Sequence, residues 1–228
     1  MAATAAMTGP AAILDIDGTL VDSNYQHALA WYRALREHGR IIPLVELHRH
    51  IGMGGDQLVG SVAGEEFERE HGDAARGSEK LRYEELSPDV AALEHATELI
   101  EALRERGCDV VLATSGKEED TERYRSMLGA DDLKYTSSSD VEATKPAPDL
   151  VQVALERVDG DRPALLIGDS TWDCEAAGRA GIATVGLLTG GFSEQELTEA
   201  GAAKVYSRLG DLLADLDAVL ALARRPDD

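Results

Sequence analysis

Residues 11–22 read AAILDIDGTLVD. Four apolar residues lead into two aspartates two positions apart, Asp15 and Asp17, followed by Gly18 and Thr19. A short apolar run ending in acid and glycine predicts a buried strand, Ala11–Asp17, that runs into a loop. Two carboxylates at such a strand end can face one crevice if the chain turns there. An ionised aspartate is a nucleophile toward phosphorus or carbon. A second aspartate whose pKa is raised by its neighbours can give up a proton and later take one back. Gly18 permits a tight turn in which successive N–H groups cradle an anion. Taken alone, the stretch is explained equally well as a solvated turn after a strand.

Working outward, the pattern changes at Asn24. As far as about Tyr83 the segments HALAWYRALREHG, LVELHRHIG and EEFEREHG read as helices and strand-like runs are missing. Gly39, Pro43, Gly52, Gly54, Gly55, Gly64 and Gly72 divide this region into several short helices. After Ser87-Pro88 helices and strands alternate. Helices are predicted at Val90–Arg106, Glu118–Leu128, Asp149–Val158, Asp173–Ala180, Glu194–Ala200 and Leu209–Ala223. Strands are predicted at Asp109–Thr114, Lys134–Ser137, Ala164–Gly168, Ala183–Leu188 and Lys204–Ser207. Alternation of this kind implies βαβ units and a mostly parallel sheet. The tail from Arg224 reads as frayed. No internal repeat or low-complexity linker interrupts the chain.

In open α/β sheets ligands bind beyond the carboxyl ends of the strands. Three further strand ends carry chemistry. Thr114-Ser115-Gly116 offers hydroxyls to a phosphoryl oxygen, although Thr and Ser also cap helices routinely. Lys145-Pro146 places a cation that would neutralise and orient a phosphate, although a surface lysine in a turn is the simpler single reading. Gly168-Asp169-Ser170-Thr171-Trp172-Asp173 follows an apolar strand. Asp169 there, with Asp15 and the backbone carbonyl of Asp17, would form a hard oxygen site suited to Mg²⁺, with Asp173 supporting from one step out. Capping of the next helix by Asp169 or Ser170 accounts for one acid in that stretch and less well for two.

The chain has 228 residues, with 22 Lys and Arg against 43 Asp and Glu, a net charge of −21. The length suits one large domain or a core with an insertion. The acidic balance argues against nucleic acid and anionic membrane as partners. Two cysteines, Cys108 and Cys174, make no disulfide framework, and the start, MAATAAMTGPAA, is a poor secretory signal. With no apolar run long enough to span a bilayer, the expectation is a cytoplasmic protein, monomer or homodimer.

Together, Asp15-Ile-Asp17-Gly-Thr-Leu-Val-Asp, Thr114, Lys145-Pro146 and Gly168-Asp169-Ser-Thr-Trp-Asp173 occur in one order, each at a predicted strand end. This set resembles the four motifs of the haloacid dehalogenase-like hydrolases, in the branch of phosphoglycolate phosphatase and β-phosphoglucomutase. The resemblance implies an α/β fold with a Rossmann-like, mostly parallel sheet, helices on both faces and an inserted α-helical cap. It places the core at residues 1–22 and 87–228 and the cap at 23–86. It implies that Asp15 attacks phosphorus to form an aspartyl-phosphate, and that Asp17 protonates the leaving alcohol and then activates water. Gly18, Thr114, Ser115 and Lys145 would hold the phosphoryl group. Asp15, Asp17 and Asp169 would hold Mg²⁺. Retention of Asp17 separates phosphoryl transfer from dehalogenation, which needs no protonated leaving group.

In the cap, His27 stands where the mutase subgroup has a histidine, and Gly54 and Gly55 stand where related caps select substrate. The mutase subgroup grips a second phosphate with an arginine near the place of Gly55, which counts against mutase activity, and Asp56 disfavours a second anion. Phosphonate-cleaving relatives use a cap lysine. Lys80 is the one lysine in the insertion and reads as exposed. Trp31 and Tyr32 read as cap packing, and His48, His50 and His71 as exposed residues. The resulting expectation is a Mg²⁺-dependent phosphatase of a small phosphorylated metabolite, with a phosphosugar mutase or phosphonate hydrolase as alternatives. A non-catalytic binding protein on the same scaffold would be marked by loss of Asp15, Asp17 or Lys145, and all three are present.

Overall fold

A computed structural model describes residues 9–226. The start of the chain through Thr8, and Asp227 and Asp228 of the tail, lie outside the described residues. Eight strands form: β1 (Ala11–Leu14), β2 (Val21–Asp22), β3 (Ala91–Ala92), β4 (Asp109–Ala113), β5 (Lys134–Thr136), β6 (Ala164–Gly168), β7 (Ala183–Leu187) and β8 (Ala202–Tyr206). Six of them make one sheet in the order β5-β4-β1-β6-β7-β8. Every pairing in it is parallel. This is a Rossmann-like α/β sheet. The chain leaves β1 for β4 on one side and later crosses to β6 on the other, so the crevice above β1 is the switch point where such sheets bind ligands.

The sheet is covered on both faces because β1 alternates. Ala12 and Leu14 pack into one cluster with Leu99, Leu103, Tyr124 and Leu212. Ala11 and Ile13 pack into another with Val151, Ala154, Ala176 and Ala177. The covering helices are α5 (Ala96–Glu105), α6 (Glu118–Met127), α7 (Asp149–Arg157), α8 (Thr171–Arg179), α9 (Glu194–Glu199), α10 (Leu209–Ala214) and α11 (Leu216–Leu220). They are numbered after four helices inserted between β2 and β3. Those four are α1 (Asn24–Glu37), α2 (Leu44–His48), α3 (Gly55–Ala63) and α4 (Glu65–Leu86). They share a separate core built on Ala28, Trp31, Leu35, Leu47, Leu58 and Ala75. Spacings of three and four residues on α1 put its apolar side chains on one stripe.

Four local expectations change. Val90–Arg106 is not one helix. Ala91 and Ala92 pair antiparallel with Asp22 and Val21, and His95, at φ +69°, cannot continue a helix into α5. The resulting two-stranded ribbon flanks the insertion at both of its ends. Gly72 does not end a helix. The buried stripe Gly72, Ala75, Glu79 and Tyr83 carries α4 through it for 22 residues, and one glycine costs only about 1 kcal/mol in a helix. The closing helix breaks at Asp215, whose carboxylate is drawn to β8 by Lys204 and by Tyr206 Oη at 2.7 Å. Arg224 is not frayed, because it exchanges backbone hydrogen bonds of 2.9 and 3.1 Å with Ala164.

Ile13 sits at the centre of this arrangement and is fully buried. Ile13→Ala is expected to cost about 2–5 kcal/mol in urea unfolding, as cavity-forming core truncations do. Leu81→Ala, at a side chain that is 62% exposed, should stay within about 0.5 kcal/mol.

Candidate active site

Asp15 follows β1 directly, and its N–H donates to Ile167 O at 3.0 Å, prolonging the ladder so that its carboxylate enters the crevice. Gly18 turns the chain at φ +78°, and its N–H donates to Val21 O at 2.7 Å. A Cβ at Gly18 would lie 2.1 Å from Asn24 Nδ2 and 2.3 Å from Asp169 Oδ2, so space and backbone both require glycine. After β6, Ser170 caps α8. Its Oγ accepts from Asp173 N–H, while Asp173 Oδ2 accepts from Ser170 N–H at 3.1 Å and Oγ–H at 2.6 Å. Capping therefore falls to Ser170, and Asp169 faces β1. Asp169 accepts from Thr19 Oγ1 at 2.9 Å and from Asn24 Nδ2 at 2.9 Å.

Lys145 is fully buried. Its ammonium pairs with Asp15 and lies 2.7 Å from Asp173 Oδ1. Burial alone would lower its pKa, and the two carboxylates more than reverse that. One ammonium does not balance three buried carboxylates. Asp15, Asp169 and Asp173 bring ligand oxygens within 4.8 Å of one another. Burial, partly offset by Lys145 and reinforced by Asp173, Asp169 and Asp17, holds Asp15 well above the usual carboxylate range. Burial and then Asp173 push Asp169 up to about 7. A cluster of hard oxygens with excess negative charge fits a divalent cation of the Mg²⁺ class.

Asp17 is a separate centre. It accepts from Ser23 Oγ at 2.6 Å and Thr114 Oγ1 at 3.0 Å, and His27 Nε2 lies 3.4 Å from its Oδ1. Burial works to raise its pKa, and these donors, His27 foremost, outweigh it and hold Asp17 ionised. His27 Nδ1 reaches Glu79 Oε1 at 3.3 Å, and the ring stacks on Tyr83 at 3.8 Å. Against burial, hydrogen bonds to the two carboxylates lift the imidazole to about 10. Glu79 also binds Lys117 Nζ at 2.7 Å. Thr114 Oγ1 accepts from Gly116 N–H at 2.8 Å. Ser115 Oγ is buried without a hydrogen-bond partner among the described residues.

A cavity of about 310 Å³ brings together Asp15, Asp17, Thr114 and Ser115 from the sheet with His27, Gly54 and Gly55 from the insertion. Gly54 N–H donates to Thr144 Oγ1 at 2.9 Å, one residue before Lys145. Lys145, Gly18 and Asp169 are not in the cavity lining; Lys145 joins Asp15 directly and Asp169 joins it through Thr19 Oγ1, while Gly18 lies against Asn24 and Asp169. Arg76, Glu79, Lys117 and Thr144 also line the cavity and were not read from sequence. For Glu79 a signal existed, since it falls on the same helical stripe as Ala75 and Tyr83, where a carboxylate is out of place without a partner.

Several side chains take other roles. His48 is buried rather than exposed, with Nε2 3.0 Å from Gly190 O. Asp56 accepts from Thr144 N–H at 3.0 Å and from its hydroxyl at 2.6 Å. Trp172 Nε1 donates to Arg49 O at 3.2 Å. All three contacts tie the insertion to the sheet. Trp31 is insertion core and also walls the cavity. Lys80 pairs with Glu119 at 2.6 Å and does not line the cavity.

A profile of the haloacid dehalogenase-like hydrolases matches residues 10–181. The chain belongs to that family and is an enzyme of the hydrolase class. A phosphoglycolate phosphatase from Aquifex aeolicus is 30% identical over 78% of this chain and 84% of its own. A validoxylamine A 7'-phosphate phosphatase from Streptomyces hygroscopicus subsp. limoneus is 28% identical over 78% of this chain and 85% of its own. The crystal structure of a hydrolase from Pseudomonas syringae aligns at a TM-score of 0.86 with 34% identity. It covers 92% of this chain and 99% of that one. Among the described residues no helix is long and apolar enough to cross a membrane.

Two pH effects follow. His27 is raised to about 10 in the folded state against about 6.5 unfolded. Its stabilisation is therefore complete below about pH 6.5 and is lost as the pH climbs through about 10. In urea titrations the margin of the wild type over His27→Gln should shrink across that window, and a constant margin would mean a neutral imidazole. Asp169, raised to about 7, must shed a proton to hold a cation. Calorimetry in buffers of different ionisation enthalpy should show Mg²⁺ affinity rising through that pH with proton release.

Proposed function

We propose that the protein is a Mg²⁺-dependent phosphatase of a small phosphorylated metabolite, working through an aspartyl-phosphate on Asp15. The observation that carries this reading is the joint placement of Asp15, paired to a buried lysine, and Asp17, tied to His27, in one cavity. Similarity to a validoxylamine A 7'-phosphate phosphatase and a phosphoglycolate phosphatase supports it.

Asp15 attacks phosphorus, and the ester oxygen leaves as an alcohol. Lys145 keeps the attacking carboxylate oriented and offsets charge that gathers in the transition state. The Ser115 hydroxyl, which has no hydrogen-bond partner among the described residues, donates to a phosphoryl oxygen, while the Gly18 N–H, already given to Val21 O, shapes the turn. Asp15, the Asp17 carbonyl and Asp169 would hold the cation, with Asp173, in the same carboxylate cluster, fixed by Ser170 and Lys145. When bound, Mg²⁺ supplies Lewis-acid neutralisation of the phosphoryl charge.

Asp17 is ionised in the resting protein, so its role as acid needs a proton source. An arriving phosphoryl dianion raises the pKa of a carboxylate beside it. The imidazolium of His27, 3.4 Å away, is the proton at hand. Asp17 then protonates the leaving alcohol and, as carboxylate again, activates water against the phospho-aspartate. The insertion, taken as residues 23–86, acts as a cap that keeps bulk water from the first step. The cytoplasm is the compartment that supplies such metabolites.

The test is phosphate release from a panel of phosphomonoesters with and without Mg²⁺. Turnover should require the metal, and Asp15→Asn should lower kcat by about three orders of magnitude or more. Metal-dependent turnover that survives Asp15→Asn would refute the covalent route.

A further inference from the structure

We propose that the enzyme selects phosphomonoesters whose alcohol portion carries no second anion, so that carboxylate-bearing esters and bisphosphates are poor substrates. This rests on the phosphatase reading and adds to it the charge class of the leaving alcohol.

Besides the sheet-side machinery, three cationic side chains line the cavity: His27, Arg76 and Lys117. Each is already matched. Arg76 Nη1 donates to both carboxylate oxygens of Glu68, at 2.8 and 3.0 Å, and to Gly55 O at 3.1 Å, while Nη2 donates to Asp73 at 2.8 Å. Lys117 is held by Glu79 at 2.7 Å, and His27 lies between Asp17 and Glu79. Asp120 and Glu142 add acids to the lining. Glu142 is exposed and has no ion pair or side-chain hydrogen bond among the described residues. The rest of the wall from the insertion is largely apolar or glycine, including Trp31, Met53 and Gly54.

The two ends of a bound ester therefore meet different conditions. The phosphoryl end has Lys145, the Ser115 hydroxyl and the metal cluster. A second phosphate or a carboxylate on the alcohol would lose water against acids with no free cation to receive it. Recruiting Arg76 would strip the partly buried Glu68 of its partner. A hydroxyl or an amine has no such penalty and finds acceptors in Asp120 and Glu142.

The experiment compares three near-isosteric esters at fixed ionic strength: ethylene glycol monophosphate, phosphoethanolamine and phosphoglycolate. The first is neutral beyond its phosphate, the second cationic, the third anionic. The kcat/KM for the neutral and cationic esters should exceed that for phosphoglycolate by about ten-fold or more. A preference for phosphoglycolate would overturn the proposal. The variant Glu68→Gln with Asp73→Asn frees Arg76 without altering the lining. It should raise phosphoglycolate turnover about ten-fold relative to the neutral ester, and an unchanged ratio would overturn the role given to Arg76. Calorimetric binding of the same esters to Asp15→Asn separates this proposal from the one beneath it. Absence of turnover by wild type, with neutral esters still bound more tightly, would refute the phosphatase reading and uphold the charge rule. Equal or reversed affinities would refute the charge rule whatever the turnover.

Discussion

The burial of Lys145 between Asp15 and Asp173 is the constraint on which the site depends. A lone ammonium with no exposure would shed its proton, and three buried carboxylates would not all stay ionised. Each makes the other tenable. The pairing demands that the ends of β1 and β6 and the loop before α7 converge within a few ångströms. Parallel pairing of β1 with β6, from Ala11 opposite Ala164 to Leu14 opposite Ile167, brings Asp15 level with Gly168, one residue before Asp169. The glycines are set by this crowding. A Cβ at Gly190 would come within 1.8 Å of Asp169 Oδ2.

The insertion is seated by polar contacts rather than by a continuous apolar core. Its own cluster is separate from those of the sheet, although Ala30 and Tyr83 reach the latter. Between them stand Gly54 and Asp56 on Thr144, His48 on Gly190 O, Trp172 on Arg49 O, and the Arg49–Glu196 pair. Such contacts contribute about 1 kcal/mol each and exchange readily with water. A surface held in this way can part and close again, whereas an apolar one would resist opening. Thr144 carries two of these contacts and precedes Lys145 in the chain, so the position of the insertion and that of the buried lysine are linked through the backbone.

The sheet and the polar residues gathered at its crevice are legible in the sequence for one reason. A strand end must turn, and residues at that turn are under tight steric demand. DIDGT, TSG and GDSTWD therefore combine a backbone signal with a chemical one, whereas Lys145-Pro146 stands well past the end of β5, in the loop before α7. The insertion has no such coupling. Its helices were legible from periodicity, but the residues that reach the cavity come from positions far apart in sequence. Glu79 meets His27 through the packing of α4 on α1, and Arg76 meets Gly55 through the packing of α4 on α3. Val90–Arg106 misled because Ala91 and Ala92 have helical composition while their backbone is claimed by β2. His48 misled because its burial is owed to Gly190, 142 residues away. Burial of a polar side chain is set by its tertiary partner, which local pattern does not contain.

A chain with net charge −21 repels phosphates at long range, and its affinity for them has to be made locally. In the proposed reaction this is achieved at the sheet edge by the buried Lys145 and by a carboxylate cluster that would hold a divalent cation. At the insertion it is not, since Arg76 and Lys117 are cations whose charge is taken by Glu68, Asp73 and Glu79. On the proposed charge rule, substrate choice would rest on the partners of the cations as much as on the cations. Under that rule, Glu68 and Asp73, which lie outside the cavity lining, decide whether Arg76 is available to a second anion.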